Sequence, residues 1–156
     1  GNLNTLCLGP YHQPEVKLAG TGGNTDAACL AKRVIIVMPQ EKRRYVERTD
    51  FLSSPGYITG PEGRARAGLG PQGPNVVVST MGLLRYDTPD GGMSGTCEMY
   101  LDAVFPYVEP DTVKQATGWD LKVSPNLREL EPPTKEEIDL LRRLDPLRLY
   151  LSEGRY

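Results

Sequence analysis

A glycine-rich turn, Gly20-Thr21-Gly22-Gly23-Asn24, is the strongest candidate for chemistry in this sequence. Its glycines let the backbone approach a ligand closely, and its amides could bind an anion or a developing oxyanion. The turn is not a P-loop because no Gly-Lys-Ser/Thr follows it, and its G-x-G-G spacing does not fit a dinucleotide fingerprint. Spacing alone leaves a second interpretation open, in which the glycines serve a tight connection that needs a positive φ.

The other reactive side chains lie in weaker patterns. His12 is the single histidine and has no carboxylate at a useful spacing, which favours a solvated or structural role over a Ser-His-Asp or Cys-His mechanism. Cys29 lies among small apolar residues and is expected to be buried. The basic run 42–44 is interpreted as solvated charge rather than a phosphate contact. Glu98 opens an alternating strand, which favours an edge or solvent position over a nucleophilic role.

Length and charge limit the classes of function. The chain has 156 residues, which predicts one domain over 1–156, and it begins without Met, so we expect it to be the later part of a larger protein. A net charge of -2 argues against nucleic-acid partners and against binding to an anionic membrane. The apolar run 34–38 is too short to span a bilayer. Three cysteines without C-x-x-C spacing predict neither a disulfide framework nor a metal site and favour a reducing, cytoplasmic compartment.

The elements that would position the glycine turn are a strand before it and a helix and strand after it. Residues 14–19 read as a short strand, 25–32 as a short helix, and 33–38 as an apolar β-branched strand. We expect that last strand to be covered on both faces, as in a parallel sheet, and the three elements to form a βαβ unit. Further strands and helices are predicted at 76–80, 82–86, 99–105, 111–116 and from a capping box at 134–137.

A long loop rich in glycine and proline occupies 53–74. It opens with four candidate substrate-contacting residues: Ser53, Ser54, Pro55 and Gly56. Turn formation explains these residues equally well, so both interpretations stay open. Because the loop contains few apolar side chains, we expect it to be mobile and to be cut by a protease near Arg64 or Arg66.

Taken in order, six segments resemble the C-terminal part of the beta subunit of family I coenzyme A transferases, closest to the glutaconate CoA-transferase type. The segments are 1–5, 16–23, 41–47, 50–56, 98–101 and 132–137. The resemblance implies an open, mostly parallel α/β sheet with flanking helices that lacks its N-terminal strands. It also implies a partner alpha subunit that shares one active site, and hence a homo- or hetero-oligomer.

The resemblance further implies ping-pong transfer of CoA from an acyl-CoA to a carboxylate through a glutamyl-CoA thioester. CoA is then a substrate, and no cofactor is permanently bound. The catalytic glutamate would lie upstream of Gly1, so this chain supplies no catalytic residue. Gly20, Gly22 and Gly23 match the family's G-x-G-G element beside the acyl site, where the Gly22 and Gly23 amides, with Asn24 adjacent, would bind the oxyanion. Two alternatives remain: a CoA-thioester hydrolase or ring-cleaving relative without the glutamate, and a non-catalytic CoA-binding or interaction domain.

Overall fold

A five-stranded mixed sheet flanked by helices forms the body of the chain in a computed structural model, which describes residues 1–91 and 94–149. The strands are β1 (Cys7–Leu8), β2 (Val16–Lys17), β3 (Val34–Val37), β4 (Pro74–Val78), β5 (Gly82–Tyr86), β6 (Met99–Val104) and β7 (Lys122–Glu129). The helices are α1 (Asn24–Leu30), α2 (Gly63–Arg66), α3 (Pro110–Gln115) and α4 (Lys135–Leu144), with a 3-10 turn at Pro89–Gly91.

The main sheet has the order β3-β4-β5-β6-β7. Its first and last pairs, β3 with β4 and β6 with β7, are parallel, whereas β5 runs antiparallel to both of its neighbours. The predicted α/β fold, an open sheet with flanking helices, is confirmed, but the sheet is mixed rather than mostly parallel, since two of its four strand pairs are antiparallel.

One face of this sheet carries the core. The register pairs Ile36 with Val77, Val77 with Leu84, and Leu84 with Leu101, so these four buried side chains line one face. Val113 of α3 packs into the same cluster. The parallel β3–β4 pair is thereby joined to the core at one edge of the sheet.

The opposite face of β3 is uncovered, so the prediction that this strand is buried on both faces is wrong. Ile35 is 56% exposed and Val37 is 78% exposed. The physical reason is that no layer among the described residues covers the face that carries Ile35 and Val37; β3 is also the edge of the sheet and pairs with β4 alone among those residues. An apolar β-branched run indicates a strand but does not say whether the chain itself supplies the covering layer.

The predicted βαβ unit is also wrong. β2 is two residues long and pairs antiparallel with β1 in a separate ribbon, not in the main sheet with β3. Its side chain Val16 is 46% exposed, so the ribbon lies on the surface. The short helix does follow the glycine turn, as α1, so the predicted order of strand, turn, helix and strand is correct even though the sheet pairing is not.

Helix α4 begins at the predicted capping box. The Thr134 hydroxyl accepts the amide hydrogen of Glu137, and the Glu137 carboxylate accepts from the Thr134 backbone. Its apolar side does not join the core, because Leu141 is 47% exposed and Leu144 is 72% exposed. A second uncovered apolar surface therefore lies on this helix.

Candidate functional site

The glycine turn between β2 and α1 has a backbone that explains two of its three glycines. Gly20 and Gly22 have φ values of +92° and +50°, a region that side-chain-bearing residues rarely adopt. Gly23 is different: its φ is -86° and its ψ is 4°, which any residue can adopt. A Cβ added at any of the three would meet no atom within 4 Å. The fold itself therefore does not require glycine at position 23, and its Cβ position is open to the approach of another molecule.

The amides of Gly22 and Gly23 are free. The neighbouring Gly20 amide donates to the Thr5 carbonyl at 2.8 Å, and the Asn24 amide donates to the Thr21 carbonyl at 2.9 Å. Within the described part of the chain, the Gly22 and Gly23 amides have no acceptor, and both residues are exposed. Two consecutive amides without an acceptor, on an exposed turn, can bind an anion or an oxyanion.

Ser53, at the start of the long loop, forms hydrogen bonds with the helix that follows this turn and with the N-terminal segment. The Thr25 hydroxyl in α1 donates to the Ser53 carbonyl at 2.6 Å. The Ser53 hydroxyl accepts from the Thr5 amide at 2.9 Å and donates to the Leu3 carbonyl at 2.9 Å. Ser53 is 4% exposed and Ser54 is 1% exposed. These serines hold the turn and the N-terminal segment together and do not present their hydroxyls to solvent.

Asn2 fixes the next part of the loop. Its side-chain oxygen accepts from the Gly56 and Ile58 amides at 2.9 Å and 3.0 Å, and its amide group donates to the Ile58 carbonyl at 2.9 Å. A Cβ on Gly56 would collide with the backbone of Gly1, so glycine is needed there for close packing. Sequence reasoning gave Asn2 no role; its pairing with a loop more than fifty residues away carries no local signal.

Arg64 is a second residue that sequence reasoning missed. Of the two arginines at the predicted protease site, Arg64 lies in α2 and is 2% exposed, whereas the Arg66 side chain is 74% exposed, so cleavage at this site is expected after Arg66. The sequence of a glycine-rich loop predicts that an arginine within it is solvated. No spacing pattern in the sequence distinguishes an arginine that is buried.

The remaining candidates have structural surroundings. His12 packs edge-on against Tyr11 at 5.1 Å between ring centroids, and Tyr11 stacks on Phe51 at 5.2 Å. Cys29 is half-buried rather than buried. The Glu98 carboxylate pairs with the Lys122 ammonium at 2.5 Å, and this hydrogen bond raises the pKa of Lys122.

The basic run 42–44 is partly neutralised by Glu41. Arg43 and Arg44 both donate to one oxygen of Glu41, at 2.7 Å and 3.1 Å. The hydrogen bonds from Arg44 and Arg43 lower the pKa of this exposed carboxyl. This agrees with solvated, internally paired charge and leaves the run without a distinct anion site.

The turn lies on an open surface rather than in a cavity. A depression of about 630 Å³ lies on α4 and one of about 320 Å³ lies at α2, and neither borders the glycine turn. To enclose a site at Gly22 and Gly23, residues from outside 1–91 and 94–149 would have to pack opposite the turn.

The described ranges hold neither a metal cluster nor a membrane span. Among residues 1–91 and 94–149, no group of three His, Cys, Asp or Glu side chains could hold a metal ion. No helix in those ranges has the length and apolar character needed to cross a membrane.

Comparison with known structures defines the class of fold. The chain matches the crystal structure of glutaconate coenzyme A-transferase from Acidaminococcus fermentans with a TM-score of 0.86 and 38% identity, over 99% of this chain and 57% of that one. The chain therefore has the fold of a CoA-transferase subunit. None of the family models compared with the chain matches it.

Sequence comparison defines which of the two CoA-transferase subunits it is similar to. The chain is 40% identical to the beta subunit of glutaconate CoA-transferase from Acidaminococcus fermentans over 97% of its length, and it matches the C-terminal part of that polypeptide. It is 31% identical to the beta subunit of 3-oxoadipate CoA-transferase from Pseudomonas knackmussii over 93% of its length. The chain spans 55% and 54% of these two relatives. The resemblance recognised from the six segments is confirmed.

The chain is also similar, at lower identity, to a subunit of an enzyme that catalyses a different reaction. The chain is 27% identical over 94% of its length to the IpdB subunit of a cholesterol ring-cleaving hydrolase from Mycobacterium tuberculosis, and it spans 56% of that polypeptide. The fold is thus shared by transferases and a hydrolase, and it does not by itself fix the reaction.

Proposed function

We propose that the chain is part of a CoA-transferase, which moves CoA from an acyl-CoA to an acceptor carboxylate through a glutamyl-CoA intermediate. One observation carries the proposal: 40% identity to the beta subunit of a glutaconate CoA-transferase over 97% of the chain. The free amides of Gly22 and Gly23, which lie on an exposed turn, support it, because the reaction develops negative charge on an acyl oxygen. CoA acts as a substrate, and no bound cofactor is part of the proposal.

In the proposed reaction a glutamate carboxylate attacks the thioester carbon and the CoA thiolate leaves, which gives a glutamyl anhydride. The thiolate then attacks the glutamyl carbon, the donor carboxylate leaves, and the enzyme holds a glutamyl-CoA thioester. The acceptor carboxylate takes CoA by the reverse steps. Each tetrahedral intermediate carries an oxyanion, and the role we assign to the Gly22 and Gly23 amides is to donate to it. Gly20 shapes the turn, and Asn24 lies beside the bound acyl group.

The glutamate and the residues that enclose the site opposite the glycine turn are proposed to lie outside 1–156. They would be supplied by further sequence of the same protein and by an alpha subunit. Two uncovered apolar surfaces support an assembly, one at Ile35 and Val37 and the other at Leu141 and Leu144. A role of Ser53, Ser54, Pro55 and Gly56 in substrate binding remains a prediction; with both serines buried, it would act through the backbone. The free cysteines Cys7, Cys29 and Cys97 support the cytoplasmic compartment as part of the same proposal.

The test is a transfer assay on the longer protein that contains this chain, co-purified with its alpha subunit. We expect a new acyl-CoA to form from a donor acyl-CoA and an acceptor carboxylate, as measured by mass spectrometry. We also expect hydroxylamine, added after the donor alone, to leave a hydroxamate on one glutamate. Release of free CoA without an acceptor would instead assign the hydrolase chemistry. CoA binding without turnover would assign the non-catalytic domain.

A further inference from the structure

Arg64 is buried with all five of its N–H donors used. A guanidinium has five donors in a rigid planar fork. The bonds run from Nε to the Gly70 carbonyl at 2.7 Å, from Nη1 to the Pro55 and Gly56 carbonyls at 3.2 and 3.0 Å, and from Nη2 to the Ala28 and Cys29 carbonyls at 3.1 and 3.3 Å. Each acceptor is a backbone oxygen. Among the described residues, Arg64 forms no ion pair with a carboxylate.

Burying a charge in this way needs a compensating environment. A charged group removed from water costs stability unless its hydrogen bonds are fully satisfied, and here they are. Two acceptors belong to the last turn of α1, where unpaired carbonyls carry partial negative charge and favour a cation. A lysine could not replace Arg64, because its three donors would leave at least two of the five carbonyls without a partner.

The five acceptors connect the two ends of the long loop to the C-terminal end of α1. The N-terminal end of α1 is attached separately, through the bond from Thr25 to the Ser53 carbonyl. These two attachments, one at each end of a seven-residue helix, fix where α1 lies on the loop. Because Gly23 is the N-cap of α1, the helix position also sets where the free amides of Gly22 and Gly23 point.

We propose that Arg64 is a positioning residue for the glycine turn. By fastening the end of α1 to the loop 53–74, it holds the Gly22 and Gly23 amides in one place and direction. Without it, α1 keeps the Thr25 attachment, next to the turn, and can pivot about that point. The catalytic consequence rests on the proposed function, whereas the attachment of α1 does not, so the two can be tested apart.

The first experiment is hydrogen exchange on the longer protein with its alpha subunit, in the wild type and in the Arg64→Ala, Arg64→Lys and Arg66→Ala variants. Arg66→Ala is the matched control, because Arg66 lies in the same helix, is exposed and pairs with Glu62 at 2.8 Å. The amides of Ala27 and Ala31, which bond within and at the end of α1, are the probes. In Arg64→Ala they should exchange at least about tenfold faster, the effect of losing one ordinary hydrogen bond, with the amides of β4 and β5 unchanged. Arg64→Lys should be intermediate and serves as the test if Arg64→Ala does not fold.

The second experiment measures turnover in the longer protein with its alpha subunit. A displacement of about 1 Å at a reacting centre costs about 100-fold, so Arg64→Ala should lower kcat by that order while KM for the acyl-CoA stays nearly constant. Added methylguanidinium should restore part of kcat, and Arg66→Ala should behave as wild type. If the wild-type protein shows no transfer, the proposed function fails. The exchange data alone then decide whether Arg64 attaches α1 to the loop.

Three results would overturn the proposal. The first is exchange in α1 that is unchanged by Arg64→Ala, and the second is acceleration of the β4 and β5 amides by the same factor, which would indicate general destabilisation. The third is normal kcat in a variant whose α1 exchanges faster, which would show that the attachment does not serve the turn.

Discussion

Replacing Gly22 by valine separates the turn's catalytic role from its structural one. The backbone there has a φ of +50°, where a β-branched residue is strained by about 1–2 kcal/mol. No steric penalty adds to this, because a Cβ at Gly22 meets no atom within 4 Å. For a domain of this length, that loss lowers Tm by about 2–8 °C. Turnover should fall far more, by roughly 10²–10³, since the strained backbone relaxes and moves an oxyanion donor.

Gly68→Val is the matched control for this variant. Gly68 has a φ of +72° and open space around its Cβ position, but it lies in the loop after α2 and is not part of the turn. Both variants should therefore lose a similar free energy of unfolding, measured by urea denaturation, and only Gly22→Val should lose transfer activity in the two-subunit protein. Equal rates for the two variants, or a loss of rate no greater than the loss of stability explains, would refute the role assigned to the Gly22 amide.

The isolated chain, its open strand edge, its loop and its buried carboxyl each give a further prediction. The 156-residue chain should show no CoA transfer, alone or with an alpha subunit, because the proposed reaction places its glutamate outside 1–156; steady-state transfer by it would contradict this. It should self-associate in light scattering through the open β3 edge, and Val37→Lys should shift it toward monomer, whereas an unchanged mass would disprove that contact. Limited trypsin digestion, followed by peptide mapping, should show cleavage after Arg66 and not after Arg64. Early cleavage after Arg64 would contradict the burial of Arg64. Asp87→Asn should reduce the dependence of stability on pH below about 4, measured by urea unfolding at acid and neutral pH.

The sign of the Asp87 prediction follows from its partners. Asp87 is 2% exposed; burial alone raises its pKa, but hydrogen bonds from the Gly95 amide and from Thr96 outweigh this and lower it. A carboxyl whose pKa is lower in the folded state stabilises the protein above its unfolded pKa. This stability is lost as pH falls through the folded value. A variant that kept the full acid sensitivity of the wild type would show that another group is responsible.

Local patterns in the sequence predict many of the elements but miss β7, the longest strand, and α2, and they predict pairing poorly. The capping box at Thr134 locates the start of α4, and the β-branched run locates β3, because both signals depend on neighbours in the chain. The pairing of β2 with β1 instead of with the main sheet depends on contacts between distant segments, which periodicity does not contain. The uncovered face of β3 is missed for a related reason: an apolar composition does not say whether the chain itself supplies the layer that covers a strand.

In the candidate site, too, features with a local sequence pattern are predicted and contacts between distant segments are not. The glycine turn is found because G-x-G-G is a local pattern, and the structure adds that Gly23 has no conformational need for glycine. The residues that hold the turn in place, Asn2, Ser53 and Arg64, bond across long stretches of sequence and have no local signal for these roles.

The most direct test of the central claim is a crystal structure of the two-subunit protein with an acyl-CoA bound. We expect the thioester oxygen, or the corresponding oxygen of a trapped intermediate, to lie about 2.7–3.1 Å from the amide nitrogens of Gly22 and Gly23. An acyl group bound elsewhere, or a turn covered by the alpha subunit without access to the substrate, would contradict the account.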